Sequence, residues 1–168
     1  MRVSRVKQKE GGIVAYDARS VANEFLKNGH VLTNMQLQKL VYIAHGYSLA
    51  ILHQPLIKQR VEAWRYGPVI PVLYHALREY GSGVVTKPIN ILPSEQLSET
   101  DQTLVAVVVS AYGRFSGPQL STMTHREGTP WREIYEPNAS LNNEDIPDPL
   151  IQKHYVALLH ERAGISPA

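Results

Sequence analysis

Cysteine is absent from the 168 residues. That excludes disulfides, thiolate metal ligands and cysteine nucleophiles, and it fits a cytoplasmic setting. No apolar run approaches the roughly 20 residues that cross a bilayer, so membrane insertion is not expected. The basic N-terminus, Met1 to Glu10, has no apolar core and is not a signal peptide. Phosphate-binding loops are missing, because Gly11-Gly12 and Gly81-Ser82-Gly83 lack the spacing and the lysine. There is no GxSxG and no HExxH. The seven histidines, His30, His45, His53, His75, His125, His154 and His160, are scattered without metal-ligand pairing, so no metal or other cofactor is expected.

Charge is unevenly placed. Arg2, Arg5, Lys7 and Lys9 against Glu10 give residues 1–12 a net +3, and the remaining 13 basic and 14 acidic residues give −1. A slightly acidic body is poorly suited to a phosphate backbone, so nucleic acid binding is expected, if anywhere, in the tail. Residues 1–12 are read as a basic, flexible tail and residues 13–168 as one domain, with no repeat, low-complexity tract or internal linker.

Helix signals dominate the body. Asp17 is a candidate N-cap for a helix carrying Ala18, Val21, Ala22, Phe25 and Leu26, with Gly29 as its stop. Thr33 and Gln36 form a capping box, with Leu32 and Leu37 at the staple positions. The helix they open should run until shortly before Pro55 on a stripe of Leu37, Leu40, Val41, Ala44 and Ser48. A β-like stretch spans 60–64. A third helix should begin between Pro68 and Pro71, since proline is tolerated in a first turn. A short strand or extended loop is expected over 84–91. Leu104 to Val109 suits either a buried strand or a helix, and the Ser98 cap and Gly113 favour helix. Ser116 with Gln119, and Thr129-Pro130-Trp131, open two further short helices. Residues 137–149 read as loop, and a last helix carries Leu150, Ile151, Tyr155, Leu158, Leu159 and Arg162. The expected fold is mainly α, a single compact helical domain with a short β-hairpin or extended segments around 60–66 and 84–91.

The densest chemistry lies in Glu62-Ala63-Trp64-Arg65-Tyr66-Gly67-Pro68-Val69-Ile70-Pro71. Large aromatics beside a Gly-Pro turn make either an internal bolt or a binding surface. At about 100° per residue, Gln38, Tyr42 and His45 share a strip flanking the apolar stripe. Half-buried polar groups there need partners, and Glu62, Trp64 and Arg65 are the candidates. The result is either a locked internal network or a groove with polar specificity groups. An enzyme using His45 or His125 with Glu62 as acid–base groups is a further reading, although no substrate pocket can be inferred.

Those segments also carry a resemblance. Leu37-Gln38-Lys39-Leu40-Val41-Tyr42-Ile43-Ala44-His45-Gly46 resembles the first motif of the SocA-like Panacea antitoxin domain family, also described as phage-associated proteins. Glu62 to Pro71, with Tyr74, looks like its second block. Leu120-Ser121-x-x-Thr124-His125 followed by Pro130-Trp131 is similar to its third. Glu127 precedes Pro130 by a slightly longer gap than the family pattern, so that loop is expected to differ.

The resemblance implies a bacterial or prophage-encoded helical domain that neutralises a cognate protein toxin encoded beside it. One member type resembles a proteolytic adaptor, which adds a Clp-type protease as an implied partner. It implies no catalytic residue. The positions it carries over are Gln38, Lys39, Tyr42 and His45, then Glu62, Trp64, Tyr66, Gly67, Pro68 and Tyr74, then Thr124, His125 and Trp131; Arg65 joins them from the aromatic turn. Because toxins differ across the family, such shared positions suit scaffold as well as interface. A nucleic-acid-binding regulator is the alternative of a different class.

Overall fold

One helix, α2, forms the axis of the fold. In the computed structural model, residues 15–135 and 143–164 are described. The expected tail at 1–12 and the first part of the expected 137–149 loop, residues 137–142, lie outside the described residues. α2 (Asn34–Tyr47) opens as expected: the Thr33 hydroxyl accepts from the Gln36 amide, and the Gln36 side chain accepts from the Thr33 amide. Every residue from Leu37 to Tyr47 is then buried. This corrects the expectation of one apolar stripe with a half-exposed polar flank. Gln38, Lys39, Tyr42 and His45 are 4%, 2%, 2% and 0% exposed, because neighbours pack around the whole circumference of the helix.

Those neighbours begin with α1 (Ala18–Leu26), capped by the Asp17 carboxylate on the Arg19 amide and closed by a 3-10 turn at Lys27–Gly29. α3 (Pro71–Leu77) starts on the second proline of the expected pair, while Pro68 lies in a strand. α4 (Glu99–Tyr112) is helical, as its Ser98 cap indicated: the Ser98 hydroxyl accepts from the Asp101 amide. Its buried face is Leu104, Val105, Val108 and Tyr112. α5 (Gly117–His125) has the Ser116–Gln119 capping box, and α6 (Pro130–Ile134) starts on the Thr129 cap. α7 (Asp148–Arg162) lies against α2. The crossing is close at Gly46, where a Cβ would fall 2.2 Å from the Tyr155 ring. Glycine is therefore required there for approach, not for backbone freedom.

α2 continues beyond Tyr47 as a single π-helical turn, Ser48–Leu52, which ends at His53 with φ +54°. A π turn displaces carbonyls from the regular ladder. The Gln152 amide on α7 donates to the Leu49 carbonyl at 2.8 Å and so satisfies one of them.

The expected hairpin is β1 (Val61–Trp64) and β2 (Gly67–Val69), antiparallel, with Glu62 opposite Val69 and Trp64 opposite Gly67. A third strand, β3 (Asp145–Ile146), pairs with the other edge of β1 and gives the order β2-β1-β3. It corrects the reading of 137–149 as loop throughout; two residues are too few to show an alternating pattern. Of the expected 84–91 segment, only Val84 makes a bridge, to Thr33. The rest is an extended loop, pinned where Asn23 both donates to and accepts from the Ile89 backbone. The protein is thus mainly α, with seven helices and one small sheet among the described residues.

Candidate functional site

The β1–β2 hairpin is gripped from beneath, entirely through its main chain. Gln38 sits one turn into α2 and clamps Ile70 twice: its Oε1 accepts from the Ile70 amide at 3.0 Å, and its Nε2 donates to the Ile70 carbonyl at 3.2 Å. Lys39 Nζ donates to the Pro68 carbonyl at 2.9 Å. From α5, the Ser121 hydroxyl donates to the Tyr66 carbonyl at 2.7 Å. From α6, the Trp131 indole donates to the Trp64 carbonyl at 2.6 Å. Three helices therefore hold alternate carbonyls of one turn, and carbonyls left buried without partners would cost about 1–3 kcal/mol each.

Above those contacts the side chains layer outwards. Glu62 is buried and accepts from the Trp64 indole at 2.7 Å, with Arg60 at 3.5 Å. Trp64 meets Tyr74 edge-on, ring centroids 5.0 Å apart. Arg65 and Tyr66 form the two-residue tip, with the guanidinium 5.5 Å from the Tyr66 ring centre. Tyr66 is 65% exposed. Gly67 has φ +116°, a region that a side chain disfavours, and an added Cβ there would crowd the Lys39 amine and the Thr124 hydroxyl. Thr124 spends its own hydroxyl on the Ser121 carbonyl at 2.9 Å.

The first motif block divides between two tasks. Gln38 and Lys39 face the hairpin. Tyr42 packs edge-to-face on Tyr155, ring centroids 6.1 Å apart, and burial pushes its phenol pKa up. His45 Nδ1 accepts from the Leu56 and Ile57 amides at 3.2 and 3.4 Å, while its Nε2 donates to Asp148 at 2.8 Å. That donor pattern selects the Nε2–H tautomer in the neutral ring. The expected partners of Gln38, Tyr42 and His45, namely Glu62, Trp64 and Arg65, are thus replaced by backbone groups and α7. A side chain on a fully enclosed helix meets whichever element lies over it.

His125 lies against Trp131, ring centroids 4.0 Å apart, and its buried Nε2 has no partner among the described residues. Burial lowers its pKa, with smaller contributions from Lys39 and Arg132. Trp131 also stacks on Tyr135 at 4.5 Å. The acid–base candidates His45, His125 and Glu62 are each engaged with different groups. Ser121 and Asp148 were missed as contributors. Ser121 could have been found one helical turn before Thr124, but Asp148 lies 103 residues from His45 with no local signal. Among the described residues, no three His, Asp or Glu side chains are grouped to hold a metal. A separate open groove of about 1230 Å³ lies between α1 and the 85–96 loop, and it includes none of the motif residues.

The antitoxin SocA-like Panacea domain profile matches residues 37–132, which run from α2 through α6 and include every hairpin-gripping residue. The chain belongs to that family. Antitoxin SocA of Caulobacter vibrioides (strain NA1000 / CB15N) is 34% identical over 131 residues, covering 70% of each chain. No solved structure matches. Within this Panacea domain the matched region begins on Leu37, the first fully buried residue of α2, and ends just beyond Trp131. No helix among the described residues is long and apolar enough to cross a membrane.

Proposed function

We propose that this Panacea domain is an antitoxin, neutralising a cognate protein toxin encoded nearby by binding it directly, with the Arg65–Tyr66 tip as the principal contact. The observation that carries the reading is the contrast at the hairpin: Tyr66 is 65% exposed on a turn whose backbone is held at Trp64, Tyr66, Pro68 and Ile70. A pre-formed aromatic and arginine tip loses little conformational freedom on binding, and Tyr and Arg are residue types enriched where binding energy concentrates. Trp64 and Tyr74 stand behind the tip as a half-buried apolar base. The relative named Antitoxin SocA supports the antitoxin part of this reading.

On this reading the motif positions separate by role. Gln38, Lys39, Tyr42, His45, Gly67, Pro68, Thr124, His125 and Trp131 build the support, and Arg65 and Tyr66 meet the partner. Delivery of the bound toxin to a Clp-type protease would follow from the same grip. The test is co-expression with the neighbouring gene. The wild type should restore growth that the neighbour's product blocks, and Arg65→Ala/Tyr66→Ala should fail to do so while keeping its helical circular dichroism. Full rescue by the double variant would remove the tip from the interface. A protease-deficient host distinguishes simple sequestration, where rescue persists, from delivery, where it is lost.

A further inference from the structure

Lys39 is a buried cation site without an anion. Its side chain is 2% exposed, and among the described residues it pairs with no carboxylate. Its one hydrogen-bond partner there is the Pro68 carbonyl. An ammonium carries three N–H donors, so the contact that satisfies an uncharged amine leaves a charged one short. Water has little room to help: the Gly67 backbone is so close that a Cβ there would fall 2.8 Å from Nζ and 3.1 Å from the Thr124 hydroxyl.

Charged and titratable neighbours do not compensate. On α5, His125 is near enough for Lys39, together with Arg132 of α6, to lower its pKa, and neither of these neighbours supplies a negative charge. On β1, Glu62 is committed to the Trp64 indole and lies 3.5 Å from Arg60. β2 contributes Gly67, Pro68 and Val69, none of which is charged. The same burial takes the Lys39 pKa down to about 7.

We propose that Lys39 is a proton-operated latch on the β1–β2 hairpin, seating the Gly67–Pro68 backbone against α2 while its amine is uncharged and releasing it when the amine takes up a proton. Release frees the ammonium to reach water and slackens the tip, whatever partner the tip meets. The latch is independent of the antitoxin reading.

Trp64, in β1, and Trp131, bonded to its carbonyl, are the only two tryptophans and report on the hairpin directly. Their emission should be followed from about pH 9 to about pH 5.5, a window that brackets the histidine range and the lowered lysine. Wild type should show an emission shift centred near neutral pH with far-UV circular dichroism unchanged. Lys39→Met should abolish the shift, and His125→Gln should keep it. An absent shift in wild type, or one that survives in Lys39→Met, overturns the latch. Should Lys39→Met fail to fold, uniformly 15N-labelled wild type decides the matter. Amide protection across β1–β2 must then fall in step with Lys39 titration, and hairpin amides that stay protected throughout refute it.

Discussion

The Trp131 indole donates to the Trp64 carbonyl at 2.6 Å, joining α6 to the end of β1 across 67 residues of chain. The two aromatics do different work: one rivets the hairpin from inside, and the other, half-buried, lies under its tip. Trp131→Phe should retain most of the contact with His125 and Tyr135 and lose the hydrogen bond. The expected cost is about 1–3 kcal/mol, since a buried carbonyl is left unpaired. Trp131→Ala should cost about 3–5 kcal/mol. Urea unfolding of both variants checks the difference, and a Trp131→Phe variant as stable as wild type would show that the hydrogen bond contributes nothing.

Gly46→Ala should destabilise the fold, although alanine is the better helix former by about 1 kcal/mol. The added methyl would sit 2.2 Å from Cδ2 and Cε2 of Tyr155, which is 4% exposed and has nowhere to retreat. Overpacking of this kind costs typically about 1–3 kcal/mol. The measurement is the urea midpoint, alone and with Tyr155→Leu. The two substitutions should be clearly non-additive, because the leucine removes the ring that the methyl strikes.

At His45, the two ring nitrogens should matter unequally. Asp148 is 47% exposed by side chain, so Asp148→Asn should cost no more than about 1 kcal/mol. His45→Leu removes the acceptor for the Leu56 and Ile57 amides inside the core, a cost of about 1–3 kcal/mol for each donor left unpaired. Thermal or chemical denaturation of the pair tests this ranking. A larger loss from Asp148→Asn would place the energy in the His45–Asp148 hydrogen bond.

Lys39→Met should stabilise the protein at neutral pH. Burial lowers the lysine pKa from 10.5 to about 7, which at about 1.4 kcal/mol per pH unit is at most roughly 5 kcal/mol. The variant also orphans the Pro68 carbonyl, a loss of about 1–3 kcal/mol, so the net gain should be at most about 2–4 kcal/mol. The sign with pH follows from proton counting. Between about 7 and 10.5 the unfolded lysine holds a proton that the folded one lacks, so wild-type stability rises with pH. The contribution is fully lost below pH 7. Tyr42 and Tyr155, whose pKa values burial raises, act oppositely above about pH 10, where only the unfolded phenols ionise. Stability profiles of wild type and Lys39→Met should therefore diverge as pH falls from 9 to 7, and parallel profiles would contradict the assignment.

Much of this architecture could be read from local chemistry. The Thr33–Gln36 and Ser116–Gln119 capping boxes and the Thr129-Pro130 start are each specified within four residues, and all three open helices. Ser98 correctly overrode the β-branched run of α4. The three motif blocks were also legible, and the structure brings Gln38, Lys39, Ser121, Thr124 and Trp131 to the one turn formed by the second block. What could not be read was enclosure. Polar Gln38, Lys39 and His45 mimic an exposed flank in sequence, and only the elements wrapped over α2 reveal them as internal. β3 was invisible for a different reason: its two residues pair because β1 offers an open edge, not because their own pattern demands it.

The grip on the hairpin engages Trp64, Tyr66, Pro68 and Ile70 only through peptide groups, which every residue other than proline supplies in full and proline supplies as an acceptor. Positions 65 and 66 can therefore exchange side chains without loosening a single fastening beneath them. A scaffold of this kind works like an interchangeable tool head, in which two residues can be retargeted while the handle stays the same.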